Sequence, residues 1–169
     1  THHASSAASD VYKRQRQAWK TMVTGRPGPV VLDVPFDIFK ESAASVSPDP
    51  AAWSANISSR CGADPDGVVR AVDMLLAAEK PVIVVGQGVR YGGAATELKM
   101  LAERLQIPVA SSASGLGALP DEHPLSLGLV QRGGTYQANH ACRQADVLMA
   151  LGVRFDDRTS SSWIPGYSF

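Results

Sequence analysis

The chain has 169 residues, 44% hydrophobic and 19% charged, with sixteen basic residues against sixteen acidic ones. That is the composition of a globular protein with chain enough for one domain or parts of two. Interspersed, balanced charge argues against nucleic acid or a membrane surface as partner, and no apolar run approaches the roughly 20 residues of a membrane span. Cys61 and Cys142 are too few for a disulfide framework or a zinc site, so free thiols in a cytoplasmic protein are expected.

Residues 1–9 are small and polar without periodicity, and Asp10-Val11-Tyr12-Lys13-Arg14-Gln15 resembles the translation of a transposon adapter. Residues 1–15 are therefore expected to be a non-native or disordered leader, and His2 and His3 within it no metal site. Residues 16–24, with Ala18, Trp19, Met22 and Val23, read as the tail of an amphipathic helix. Gly25-Arg26-Pro27-Gly28-Pro29 breaks it and holds Arg26 in a rigid turn suited to presenting a guanidinium to an anion. A surface arginine in a turn is the plainer alternative. Val30-Val31-Leu32-Asp33-Val34 is a strand candidate ended by Pro35. Residues 16–40 thus look like the last helix–strand unit of an α/β domain, followed by a Ser-, Ala- and Pro-rich linker over 41–63.

From Asp64 the pattern is regular. Asp64 can cap a helix with Pro65 in its first position, and Val68, Val69, Val72, Leu75 and Leu76 mark one face. Pro81 precedes the strand Val82-Ile83-Val84-Val85, which runs into Gly86-Gln87-Gly88. A helix over 93–105, a strand over 107–110, a loop over 111–117, a loop over 120–128 and a helix over 136–143 lead to the apolar run Val147-Leu148-Met149-Ala150-Leu151. That run reads as a strand buried on both faces. Alternating strands and helices predict an α/β fold with a Rossmann-like parallel sheet over 64–169.

Ligands of such sheets sit beyond the carboxyl ends of the strands. Two candidate segments fall there: Gly86-Gln87-Gly88, where backbone could approach a phosphate, and Gly152-Val153-Arg154-Phe155-Asp156-Asp157-Arg158. The first could equally be a tight turn without a ligand, and the second a loop of mutually paired surface charges. A nicotinamide site is not expected, because the third glycine of the fingerprint is missing and Ser111 and Ser112 stand where an acidic residue would end the next strand. Neither a P-loop nor a Gly-x-Ser-x-Gly elbow occurs, and no Ser/His/Asp or Cys/His set can be assembled. His123 is expected in a solvated turn, and His140 as a packed or surface residue of a helix.

Taken together, several stretches resemble one family. Gly25-Arg26-Pro27-Gly28-Pro29-Val30-Val31-Leu32-Asp33-Val34-Pro35 is similar to the end of the pyrimidine-binding domain of thiamine diphosphate-dependent enzymes. Lys80-Pro81-Val82 through Gly88, Ile107-Pro108-Val109, Gly115-Leu116-Gly117, His123-Pro124-Leu125-Ser126-Leu127-Gly128 and Ala145-Asp146 through Arg158 are similar to their central domain. Gly152-Val153-Arg154-Phe155-Asp156-Asp157-Arg158 resembles the large, catalytic subunit of acetolactate synthase in particular. The resemblance implies a Rossmann-like central domain and an FAD that is structural, with cofactor contacts on Arg26, Gly86, Gln87, Gly88, Gly134, Gly152, Val153, Arg154, Phe155 and Asp156. It also implies thiamine diphosphate and Mg²⁺ bound by parts of the family not represented here, so no residue of this chain is assigned to catalysis or to metal. The implied activity is decarboxylation of a 2-oxo acid such as pyruvate and transfer of the two-carbon unit to a second carbonyl compound, by a homodimer or homotetramer. The chain departs from the pattern in Gly86-Gln87-Gly88, where three glycines are usual, in Gln131-Arg132-Gly133-Gly134, where Gly-Met-His-Gly is usual, and in Ser112-Ala113-Ser114, where a Thr-Leu-Met-like run is usual. These departures leave open a relative without FAD, such as an oxalyl-CoA decarboxylase-like or sulfoacetaldehyde-processing enzyme. A non-catalytic nucleotide-binding module is the reading outside the class.

Overall fold

The computed structural model describes residues 3–25, 27–40, 62–160 and 169. The chain divides into two compact units, Thr1–Gly62 and Ala63–Phe169. Arg26 and most of the linker stretch, residues 41–61, lie outside the described residues.

In the first unit one helix, α1 (His3–Val23), runs through the expected leader without a break. Ala4, Ala7 and Ala8 carry high helix propensity, and the helical stretch beginning at Arg16 extends back through them. Gly25, at φ +65°, then turns the chain, and the Gly28 N–H donates to the Met22 carbonyl (3.1 Å). Residues 27–35 form no strand. A strand needs a hydrogen-bonded neighbour, and no described residue of this unit supplies one, so Val31 is 91% exposed. A short helix, α2 (Phe36–Phe39), follows Pro35, with the Lys40 ammonium 4.5 Å from the centre of the Phe36 ring.

The second unit opens with α3 (Pro65–Ala77), whose N-cap Asp64 accepts from the Asp66 and Gly67 N–H groups. Four strands follow: β1 (Pro81–Val85), β2 (Val109–Ser111), β3 (Ser126–Leu129) and β4 (Val147–Leu151). They form one sheet in the order β3-β2-β1-β4, every neighbouring pair parallel. Between β1 and β2 lie two helices, α4 (Gln87–Gly92) and α5 (Ala95–Leu105), where the sequence suggested one. Gly93 separates them in the left-handed region, a cap that only glycine adopts without strain. α6 (Tyr136–Gln144) connects β3 to β4, and α7 (Asp157–Ser160) follows β4.

β3 begins within the stretch 120–128, which was expected to be a loop. Its pattern is broken by Gly128, which sits at φ +80° where the β2–β3 register shifts. Such a bulge hides the period-2 signal.

The core sits on both faces of β1, whose residues alternate. Ile83 and Val85 point to one face and pack with Leu75, Val89, Leu98, Ala102, Ile107 and Val109. Val82 and Val84 point to the other and pack with Ala110, Val130, Ala138 and Cys142 under α6. β4 pairs only with β1 and stands at the sheet edge among the described residues. Its residues are therefore half-buried, with Ala150 exposed, rather than buried on both faces as its apolar run suggested.

At the amino ends of the strands, Asp146 ties two loops together. Its carboxylate accepts from the N–H groups of Glu79 (2.6 Å), Lys80 (2.9 Å) and Val147 (2.9 Å). These bonds, that from Glu79 foremost, hold its pKa below the usual 3.8.

Candidate functional site

Because β2 lies on one side of β1 and β4 on the other, the carboxyl ends of β1 and β4 are the switch point where such sheets bind ligands. Here glycines bring three strand ends into backbone contact. The Gly86 N–H donates to the Leu151 carbonyl (3.0 Å), the Gly88 N–H to the Gly152 carbonyl (3.0 Å) and the Ser112 N–H to the Val85 carbonyl (2.8 Å). A Cβ on Gly86 would lie 2.4 Å from the Gly152 oxygen, one on Gly88 2.6 Å from the Gly152 Cα, and one on Gly115 2.3 Å from the Val85 oxygen. Gly152 is itself left-handed, at φ +59°.

These glycines therefore serve chain-on-chain contact. The N–H groups of Gly86 and Gly88 are already taken, and backbone fills the space that their missing side chains leave. A cradle for a cofactor diphosphate made from this turn's glycine N–H groups does not fit. Gln87 is exposed between them, and its side-chain amide donates to the Tyr91 hydroxyl (2.7 Å).

Beyond Gly152, Val153 is half-buried against the α6-side cluster. Arg154 and Phe155 are exposed, Phe155 by 51%. The Asp156 N–H donates to the Arg154 carbonyl (3.1 Å), which makes the turn tight. The Asp156 carboxylate accepts from the Thr159 N–H (2.8 Å) at the start of α7. Hydrogen bonds from the Thr159 backbone and hydroxyl, and then the Arg154 charge, hold the Asp156 carboxyl below its usual pKa.

Gly134 sits in the turn after β3, where a Cβ would lie 2.1 Å from the Leu129 oxygen. That turn is fixed by the Gly134 N–H and the Asn139 side-chain amide, both donating to the Gln131 carbonyl (2.8 and 3.0 Å). Thr135 caps α6, accepting from the Ala138 N–H while its hydroxyl donates to the Leu127 carbonyl (2.6 Å). The Arg132 N–H donates to the Arg158 carbonyl (3.2 Å), joining this turn to α7.

The structure thus brings Gly86, Gly88, Gly152 and Val153 into one locked knot, with Gln87, Arg154 and Phe155 exposed beside it. Gly134 is linked to them through the Arg132–Arg158 bond. Arg26 lies outside the described residues. Thr135, Asn139 and Thr159 also shape the site, and the sequence reading missed them. A threonine just before a helix is a cap signal that could have marked Thr135, whereas nothing local marks a buried asparagine such as Asn139.

His123 differs from expectation. Its side chain is only 11% exposed. Its Nδ1 accepts the Leu125 N–H (3.2 Å), which leaves Nε2 to donate to Glu103 (3.2 Å). His140 is exposed and stacks on Tyr136, with ring centres 5.3 Å apart. Among the described residues no group of three His, Cys, Asp or Glu side chains could hold a metal ion, and no helix is long and apolar enough to cross a membrane.

A parallel sheet with its switch point between β1 and β4, locked by glycines, is the architecture of a nucleotide- or cofactor-binding α/β domain. The particular family is shown by comparison: the chain belongs to the thiamine pyrophosphate enzymes, whose central-domain model matches residues 68–168. It is 40% identical over 152 residues to the acetolactate synthase large subunit of Buchnera aphidicola subsp. Schlechtendalia chinensis, covering 87% of this chain and 26% of that protein. It is 39% identical over 158 residues to the acetolactate synthase isozyme 3 large subunit of Escherichia coli (strain K12), covering 90% and 27%. A third relative, the acetolactate synthase large subunit of Lactococcus lactis subsp. lactis (strain IL1403), is 35% identical over 154 residues, covering 91% and 27%. The chain therefore spans about a quarter of the length of the curated relatives it matches.

Proposed function

We propose that this chain is the central-domain portion, with the end of a preceding domain over 16–40, of a thiamine diphosphate-dependent carboligase of the acetolactate synthase type. The observation that carries this reading is the likeness to acetolactate synthase large subunits along nearly the whole chain, 35–40% identical across bacteria. When bound, thiamine diphosphate supplies the electron sink for decarboxylation of a 2-oxo acid and for transfer of the two-carbon unit to a second 2-oxo acid. Its Mg²⁺ and the catalytic glutamate belong to parts of the enzyme outside this chain, so these residues do no chemistry themselves. Their role is to hold the central sheet and present ligand-contacting groups at its carboxyl edge. The whole enzyme is read as a homodimer or homotetramer.

For FAD, the glycine knot leaves only side chains to offer. Of the residues that the resemblance implies, the Arg154 guanidinium and the exposed Phe155 ring suit a phosphate-bearing dinucleotide. The spent glycine N–H groups, with Gln87 in place of a glycine, favour a second reading: a related enzyme of the class that works without FAD.

The full-length protein tests both readings. With pyruvate, Mg²⁺ and thiamine diphosphate it is expected to form acetolactate, and to lose that activity when thiamine diphosphate is removed. Decarboxylation without carboligation, or no turnover of pyruvate, would refute the proposal. Flavin absorbance of the purified protein distinguishes the first reading from the second.

A further inference from the structure

We propose that His123 is a proton-operated switch at the entry to β3. The neutral ring ties its loop to the chain entering that strand, and a proton added to the ring trades this tie for an ion pair with Glu103 on α5. The switch stands apart from the function proposed above and uses none of its ligands.

A neutral imidazole has one donor nitrogen and one acceptor nitrogen, and His123 spends both. Nδ1 accepts the Leu125 N–H (3.2 Å), and Nε2 donates to the Glu103 Oε1 (3.2 Å). Only this tautomer satisfies the Leu125 N–H, so a second proton must go to Nδ1. The Nδ1–H and the Leu125 N–H would then be two donors aimed at each other. The same proton turns the contact with Glu103 into an ion pair. One proton thus breaks the bond on the strand side and strengthens the bond on the helix side.

The contact sits where β3 starts to pair. The Leu125 carbonyl accepts the Val109 N–H (2.8 Å), and the His123 carbonyl accepts the Ser126 N–H (2.8 Å). Val109 and Ser126 are the first register pair of β2 and β3. Leu125 is half-buried, and its side chain packs against the core cluster around Ile83. An N–H released there is only partly rescued by water, which gives the lost bond its cost.

Among the described residues, the charged side chains at this contact are Glu103 and Lys99 on α5, the Lys99 ammonium lying 3.9 Å from the same Oε1. The loop itself adds Asp121 and Glu122, both exposed, and neither β2 nor β3 carries a titratable side chain. Of these residue types, histidine is the one that changes charge between about pH 5 and 8.

Hydrogen exchange of the full-length protein, followed by mass spectrometry, tests the switch. Exchange at the C2 hydrogen of the ring reports its protonation. Exchange at the Leu125 amide, corrected for the intrinsic effect of pH, reports the tie. From about pH 8 to 5, Leu125 protection should fall roughly tenfold in step with ring protonation, as expected for the loss of one hydrogen bond. The Ile83 amide in β1 should keep its protection throughout. In His123→Asn the amide oxygen can stand in for Nδ1, so Leu125 should stay protected at every pH. His123→Gln reaches toward Glu103 instead and should leave Leu125 weakly protected at every pH.

Leu125 protection that stays constant while the ring gains its proton overturns the switch. So does a ring that stays neutral over the whole range in which the protein is folded. A fall that persists in His123→Asn belongs to another group, and a matching fall at Ile83 is unfolding of the domain. Either result refutes the proposal.

Discussion

Gly115 shows how much one hydrogen atom can decide. A methyl group there would lie 2.3 Å from the carbonyl oxygen of Val85, the last residue of the central strand, and neither piece of backbone can move without opening the sheet. Gly133, by contrast, has open space around its missing Cβ and an ordinary backbone. In urea unfolding, Gly115→Ala should cost about 1–3 kcal/mol or more, and Gly133→Ala should fall within about 0.5 kcal/mol of the wild type.

The buried Cys142 makes a second residue-scale prediction. Burial pushes its thiol from the ordinary 9.0 up to about 12, so in the folded protein it stays neutral and should not react with a disulfide reagent until the chain unfolds. The raised pKa also sets a pH window. The unfolded chain loses this proton above about 9.0 and the folded one near 12, so the thiol's contribution to stability is complete below pH 9 and lost as pH rises toward 12. Replacing it with serine or alanine should remove that alkaline decline, as followed by melting temperature against pH.

At the scale of elements, β1 organises the unit. It pairs with β2 and β4, carries core residues on both faces, and Ile83 at its centre is 0% exposed. Ile83→Ala should destabilise the protein by roughly 2–5 kcal/mol, because the surrounding strands and α5 cannot collapse into the space. Denaturant midpoints of the two proteins check this.

The helices α3, α5 and α6 and the central strand of the second unit were legible in the sequence because their signals are local: a cap at Asp64, a 3.6-residue stripe, an apolar run between prolines and glycines. β3 was not, because its bulge at Gly128 breaks the alternation, and the strand expected over 30–34 was misread for the opposite reason. Its residues favour a strand, but strand formation needs a partner that no local sequence can provide. The site was legible only as positions. Gly86 and Gly88 were found as a place for backbone to approach a phosphate and Gly152 as part of a charged strand end, whereas the three are spaced for one another. Asp156 was found as a cofactor neighbour, and the structure shows it engaged with α7.

At the scale of the whole molecule, the chain is the central domain of a thiamine pyrophosphate enzyme together with a preceding segment, about a quarter of the length of its acetolactate synthase relatives. The described residues at the switch point align and lock strand ends through backbone contacts. The activity assay proposed above therefore belongs to the full-length protein, and variants of this chain should reach that activity only through ligand affinity or domain stability.

The amino-acid sequence by itself determined the α/β class, the boundaries of most elements near the sheet and the family, because composition, periodicity and ordered motifs are properties of the chain read locally. Only the tertiary structure decided that β4 stands at the sheet edge among the described residues, that a Cβ on Gly88 would lie only 2.6 Å from the Gly152 Cα, and that His123 is paired with Glu103. Each of these depends on which groups meet across long stretches of sequence. No residue carries a mark of its partner until the sheet has brought the two together.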